Sequence, residues 1–312
     1  MSKYLITGAA GFIGSHLCNA ILSDGSNSVV AVDNLRSGNW GRVDKRATRV
    51  ETDIAELRQN EWVGLLDGVE VVFHLAAEKY NSSKSTPEKV IQSNVLATEQ
   101  LVRASAKAGV RRVVFTSSLY AYGSVGPDSM EENDVCEPDT LYGASKLMGE
   151  GILRAEARNT GLSWNVARLF FVYGPNQFAD GGYKSVIISN FERMLNDKSP
   201  IIRGDGSQSL DYVYIDDCVQ ALRIMSDSRI DKQVTNISSG APISINQLTE
   251  EMTSVANVKK HPIYEPPDWT SGTSRWGANE NAMSKFGWEH KTPIDSGLKF
   301  VYEWMKKQRN ND

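Results

Sequence analysis

Cysteine is nearly absent. The 312 residues include three, Cys18, Cys136 and Cys218, widely spaced and with no Cys-x-x-Cys pair. That excludes a disulfide-stapled scaffold and a thiolate zinc site. Histidine is almost as scarce: His16, His74, His261 and His290 show no ligand spacing, so no metal is expected. Nor does one charge dominate. Thirty-four Lys and Arg stand against 38 Asp and Glu, a net of −4, spread evenly, which gives no electrostatic case for nucleic acid or an acidic membrane. No apolar run approaches the ~20 residues needed to span a bilayer. The chain passes from Met1-Ser2-Lys3 straight into strand-like Tyr4-Leu5-Ile6-Thr7, without a signal-peptide pattern. Internal repeats and low-complexity tracts are missing too. What is left is a cytoplasmic globular protein, 40% hydrophobic and 23% charged, long enough for one large or two modest domains.

Short Val-, Ile- and Phe-rich runs predict strands over 3–7, 29–32, 49–52, 69–74, 112–117 and 164–168, as in a buried parallel sheet. Helices are expected over 16–22, 87–108 and 141–160, the second with Val90, Ile91, Val95, Leu101 and Val102 on roughly one face. Strands separated by helices in this order imply an α/β fold, a Rossmann-type doubly wound parallel sheet with right-handed crossovers. The pattern loosens after Gly174-Pro175, where Gly181-Gly182, Asp205-Gly206 and Pro266-Pro267 punctuate shorter elements. Helices are expected over 185–195, 216–226, 245–255 and 293–307, with 210–214 and 234–237 returning to the main sheet. The division this predicts is a dinucleotide domain of residues 1–175 plus 208–245, and a smaller, discontinuous substrate lobe of 176–207 plus 246–312.

Thr7-Gly8-Ala9-Ala10-Gly11-Phe12-Ile13-Gly14 lies between the first strand and the first helix. Glycine at 8 permits the tight turn, at 11 lets backbone approach a pyrophosphate, and at 14 lets helix pack on strand. The helix start at Phe12-Ile13 offers unpaired N–H groups and a positive dipole end to phosphates. Asp33 follows Gly14 by 19 residues and ends the second strand. Its carboxylate would accept both adenosine ribose hydroxyls and repel a 2′-phosphate, favouring NAD over NADP, with Arg36 the one nearby feature that suits NADP. Asp53-Ile54 could bracket the adenine, or Asp53 could be an ordinary helix cap.

Tyr142-Gly143-Ala144-Ser145-Lys146, with Ser118 closing a strand 24 residues earlier, supplies a phenol, a cation one helical turn away and a hydroxyl partner. Those groups suit removal of a proton from an alcohol while hydride leaves its carbon. The spacing alone is weak, because Tyr80/Lys84 and Tyr302/Lys306 share it. Only Tyr142 has the rest of a site around it.

Taken together, the chain resembles the NAD-dependent epimerase/dehydratase family, the extended branch of the short-chain dehydrogenase/reductases. The resemblance runs through nearly the whole length. It rests on the Gly8–Gly14 loop, Asp33-Asn34-Leu35, His74-Leu75-Ala76-Ala77, Asn94-Val95, Thr116-Ser117-Ser118, Tyr142–Lys146, Tyr173-Gly174-Pro175 and Gly204-Asp205-Gly206. It implies that Ser118 is the catalytic hydroxyl, Tyr142 the base and Lys146 the lysine on the nicotinamide ribose. Asn34, Leu75, Ala76 and Ala77 would join the NAD site. Lys79 would lie near the cofactor phosphates, or simply in a solvated loop, and Asn94 would order the loops beside them. Free tyrosine has a pKa of ~10, so Lys146 and the positive charge of oxidised nicotinamide are expected to favour the phenolate.

Family dehydratases, and decarboxylases in part, carry acids directly after the catalytic Ser/Thr. Here Leu119 and Tyr120 stand there, which argues against dehydration. What the resemblance then implies is C4 epimerisation of a nucleotide-diphosphate sugar through a 4-keto intermediate, with NAD retained. Two substrate positions depart from the family: Phe171 stands for a common asparagine, and Leu210 for an arginine that grips the diphosphate. Arg275 matches a second such arginine, and Arg203 is a candidate to compensate. With Ser118 and Tyr212, these residues form the expected substrate contacts. A keto-sugar reductase or dehydrogenase, a dehydratase or decarboxylase, and a non-catalytic dinucleotide sensor stay open as alternatives. A homodimer is expected through the helices over 87–108 and 141–160.

Overall fold

The computed structural model describes residues 2–123, 128–177, 184–227, 229–268 and 270–311. Its first half runs β1 (Lys3–Thr7), α1 (Phe12–Leu22), β2 (Ser28–Asp33), β3 (Thr48–Glu51), α2 (Gln59–Leu65), β4 (Val71–His74), α3 (Ser82–Ser85), α4 (Pro87–Val90), α5 (Ala97–Lys107), β5 (Arg112–Ser118), α6 (Leu141–Thr160) and β6 (Ser163–Leu169). The second half runs β7 (Phe171–Tyr173), α7 (Val186–Leu195), β8 (Ile201–Arg203), β9 (Ser209–Leu210), β10 (Tyr212–Tyr214), α8 (Ile215–Asp227) and β11 (Gln233–Ile237). It ends with β12 (Ile243–Ser244), α9 (Ile245–Ala256), β13 (Ile263–Glu265), β14 (Ser274–Arg275), α10 (Glu280–Phe286) and α11 (Ile294–Asn311).

Seven strands form one parallel sheet in the order β11-β6-β5-β4-β1-β2-β3. Alternate side chains face opposite layers, as strand geometry requires. Ile6, Phe73 and Val114 join the core on the α1/α8 side; Leu5, Val72, Val113 and Phe115 join a second core with Trp62 and Leu101. Both faces are covered, so β2, β4 and the first half of β5 read as near-continuous apolar runs, whereas β6 carries the buried polar Asn165 and Arg168. Beyond the sheet, α7, α9 and α11 pack on one another, with the Phe191 and Tyr302 rings 5.2 Å apart. Among the described residues no helix is long and apolar enough to cross a membrane.

Two elements differ from the sequence expectation. The helix over 87–108 is present and unbroken from 87 to 107, but it is not α-helical throughout: a π-helical turn, Ile91–Leu96, lies between α4 and α5. A π turn inserts one extra residue into the helical register, and here it carries Asn94, whose side chain is bonded to two other segments. An apolar pattern cannot report a register change made by a polar residue. The run 210–214 does not return to the main sheet either. The free edge of β6 is taken along Asn165–Leu169 by β11. Residue 210 instead pairs in a three-stranded sheet with β12 and β14, while β10 pairs with β7. Asp211 divides them. It is fully buried, and its carboxylate accepts from Ser239 N and Oγ, Gly240 N and Gly277 N at 2.6–3.3 Å. The Gly181-Gly182 punctuation lies outside the described residues.

Candidate active site

Within the β1–α1 turn, positions 8 and 14 have no room for a side chain. Gly8 has φ +69°, and a Cβ there would lie 2.8 Å from Ala76 N. A Cβ at Gly14 would run into the Gly8 carbonyl oxygen, and one at Gly11 would lie 3.2 Å from the same atom. Helix α1 begins at Phe12-Ile13 with no side-chain cap and no acid in its first turn, so its positive end is uncompensated. Asp33, at the end of β2, accepts from Ala10 N (2.9 Å) and Leu35 N (2.8 Å). Each oxygen keeps a second lone pair for a ribose hydroxyl. Asp53 accepts from Ala55 N, as a turn cap, and from Asn34 Nδ2. It also pairs with Arg36 at 2.8 Å, whose other nitrogen meets Glu78 at 2.5 Å. Arg36 is thus held by two carboxylates, a poor partner for a 2′-phosphate. Ile54 is buried beside them. A glycine cradle, an open helix start and a ribose-facing acid fit NAD.

A one-way hydrogen-bond chain ties this turn to the helix layer. Leu75 and Ala76 N–H groups donate to Thr7 Oγ1 (3.2 Å each). Thr98 Oγ1 donates to the Asn94 carbonyl at 2.7 Å, so it must accept from His74 Nε2, 2.8 Å away. His74 Nδ1 is then the bare nitrogen that accepts the Thr7 hydroxyl at 2.7 Å. Burial pushes the His74 pKa down to about 3, so the ring is neutral and held in one tautomer. Asn94 completes the link: its side chain bonds Glu78 N and O (2.7 and 3.1 Å) and donates to Ser145 Oγ (2.9 Å) on α6. Ala77 lies half-buried in the same loop, and Lys79 is exposed on it.

Helix α6 is capped by Thr140, whose hydroxyl accepts from Gly143 N. Gly143 must be glycine, since a Cβ would strike the Tyr120 carbonyl. That close approach delivers Tyr142 to the end of β5, where its buried phenol faces the Ser118 hydroxyl. Lys146, buried, donates from Nζ to the Thr116 carbonyl at 2.9 Å. Burial pulls the Lys146 pKa down to about 8. It pushes Tyr142 up to about 12, against the smaller, opposite effect of the nearby Ser118 hydroxyl. The expected lowering of the phenol pKa is therefore absent from the protein's own groups.

Tyr120 and Tyr80, to which the sequence assigned no site role, stand beside Tyr142. The Tyr120 ring stands edge-on to Tyr142 (centroids 5.8 Å, 76°) and stacks on Tyr80 (5.4 Å). The buried Arg275 guanidinium lies 5.7 Å from the centre of the Tyr120 ring. Arg275 is thereby brought to the Tyr142 side of the molecule. It is also the register partner of Leu210, so an arginine stands beside the position where the resemblance led one to be expected. Phe171 and Tyr212 meet with centroids 5.9 Å apart on neighbouring strands β7 and β10. Arg203 stands apart: its side chain is 56% exposed and paired with Glu265 at 3.7 Å. The helical spacing of Tyr142 and Lys146 is visible in sequence; the ring contacts of Tyr120 are made between distant segments and are not.

The family model for the NAD dependent epimerase/dehydratase family matches residues 4–238. The UDP-glucose 4-epimerase of Mycolicibacterium smegmatis is 31% identical, over 98% of this chain and 99% of its own. The crystal structure of Thermotoga maritima UDP-glucose 4-epimerase with UDP-glucose is similar with a TM-score of 0.92 at 33% identity, covering 98% of this chain and 99% of that one. Bacillus cereus UDP-glucuronic acid 4-epimerase, in complex with UDP-glucuronic acid and NAD, gives a TM-score of 0.88 at 26% identity, covering 98% and 99%. By the extent of the family match and by these relatives, the chain belongs to the NAD dependent epimerase/dehydratase family, and its cofactor is NAD.

Proposed function

We propose that the protein is a nucleotide-sugar 4-epimerase that retains NAD through the cycle. The observation that carries this reading is the convergence of Ser118, Tyr142 and Lys146 at the carboxyl end of the sheet, beside a glycine cradle and without a carboxylate at 119 or 120. Gly8, Gly11, Gly14 and the α1 start would hold the pyrophosphate, Asp33 the adenosine ribose, and Lys146 the second ribose. When bound, NAD supplies the acceptor and donor of the C4 hydride, and in its oxidised form a positive charge beside Tyr142. Beside that charge Tyr142, which burial alone would keep protonated, would release its proton to solvent, and as the phenolate it takes the proton of the 4-hydroxyl, with Ser118 holding that oxygen. Returning the same proton after the 4-keto sugar has turned over completes a cycle with no net redox. Arg275, backed by the Tyr120 ring, suits a diphosphate through its planar fork. The lobe of residues 176–207 and 246–312 would hold the sugar nucleotide against a unit of 1–175 and 208–245. Three free thiols accord with a cytoplasmic site of action.

The test is incubation with UDP-, dTDP-, GDP- and CDP-sugars, without added nicotinamide, followed by mass-resolved chromatography. A new peak of unchanged mass is expected. Loss of water or carbon dioxide would point to a dehydratase or decarboxylase, and dependence on added NADH to a reductase. Tyr142→Phe should lower turnover by at least ~10³-fold, a base contribution toward the upper end of the usual range, while purified protein still carries NAD.

A further inference from the structure

We infer that Glu150 is a positioning residue for the proposed reaction: it locks α6 to the end of β5 so that Tyr142 and Ser118 stay in register. This rests on the reading of those two residues given above. Tyr142, Lys146 and Glu150 recur every fourth residue, on one face of α6. Two of them are bonded to the last residues of β5, and the third faces its final one. Lys146 Nζ donates to the Thr116 carbonyl at 2.9 Å, Ser117 Oγ donates to Glu150 Oε1 at 2.6 Å, and the Tyr142 phenol faces the Ser118 hydroxyl. Glu150 is fully buried, so its charge needs a partner. Arg168 on β6 provides it as a fork, Nε to Oε1 and Nη2 to Oε2, both at 2.9 Å. Arg168 in turn lies 4.5 Å above the Tyr122 ring. One carboxylate therefore joins helix α6 and strands β5 and β6 directly behind the reacting groups.

Stability alone does not explain such a pair. The desolvation cost of two buried charges offsets their attraction, and replacing both by apolar residues of similar volume is often neutral or favourable. What a bidentate, two-strand anchorage supplies is geometry, and a misplacement near 1 Å can cost about 10²-fold in rate.

That asymmetry provides the experiment. Glu150→Gln leaves Arg168 buried without its counter-charge and should lower Tm. The pair Glu150→Leu/Arg168→Met removes both charges and should recover Tm. If Glu150 positions the site, the recovered double variant still shows kcat lowered about 10²-fold, with KM and NAD content near wild type. Recovery of kcat together with Tm overturns the inference. Should the double variant not fold, Ser117→Ala cuts only the link to β5. It should lower kcat by roughly tenfold, on the scale of one lost hydrogen bond, and Ser117→Thr should restore it; an unchanged rate overturns the inference. If wild-type protein converts no nucleotide sugar, the reading of the site falls instead. Amide exchange over 116–118 and 142–146 in the NAD-loaded double variant, or in Ser117→Ala, then decides. Faster exchange upholds the positioning role, and wild-type exchange removes it.

Discussion

Lys146 illustrates the tension at single residues. Its ammonium is buried, and burial holds its pKa near 8, against 10.5 for the free side chain. Below pH 8 the folded protein carries a charge it would rather shed, a cost of about 3 kcal/mol at neutral pH. The bond to the Thr116 carbonyl returns ~1 kcal/mol of that. Lys146→Met is therefore expected to abolish turnover and yet stabilise NAD-free protein at pH 7 by about 2 kcal/mol. The sign with pH is set by the unfolded chain. Between pH 8 and 10.5 unfolded Lys146 keeps a proton that the folded one has lost, so wild-type stability from this group rises with pH. Urea midpoints should show the variant's advantage shrinking across that window. A variant no more stable than wild type at pH 7 would contradict this. Residues such as Tyr142 and Lys146 are legible in sequence because their partner is one helical turn away. Arg154, an i,i+4 partner of Glu150, is legible in the same way; its other partners, Ser117 and Arg168, and the ring contacts of Tyr120 come from distant segments, and nothing local in the chain announces them.

At the scale of elements, the β1–α1 turn depends on glycine for two separate reasons. Gly8 needs its positive φ, whereas Gly14 needs the missing Cβ, whose place the Gly8 carbonyl oxygen occupies. Gly14→Ala must push α1 away from the turn, so purified protein should come without NAD, as read by absorbance after denaturation. Gly64→Ala in α2 is the control, since nothing lies within 4 Å of its Cβ position; there NAD content should be unchanged and stability higher by up to ~1 kcal/mol from helix propensity. Equal NAD content in the two variants would refute the steric account. Elements with a continuous apolar period were readable to the residue, as β1 and α6 are. The π turn at Ile91–Leu96 and the division of 210–214 around Asp211 were not, because in both a buried polar side chain sets the geometry. Alternation of apolar residues carries no trace of such a choice.

For the molecule as a whole, the outer surfaces of the helices after β4 and β5 bear exposed apolar residues, Leu96 at 53% and Met148 at 48%. We propose that these helices pair two copies of the chain. Sedimentation should give about twice the 34.5 kDa chain mass, a homodimer, and Leu96→Asp with Met148→Asp should return the single-chain value. A wild-type species of one chain mass would end that proposal. The strand order carries a different consequence. β1, made first, lies inside the sheet; β2 and then β3 extend one flank, and β4, β5, β6 and β11 extend the other. Every strand joins an edge already laid down, and none has to enter between two that are paired. A chain leaving the ribosome from its amino end can therefore build this sheet in the order of translation without breaking a ladder it has made.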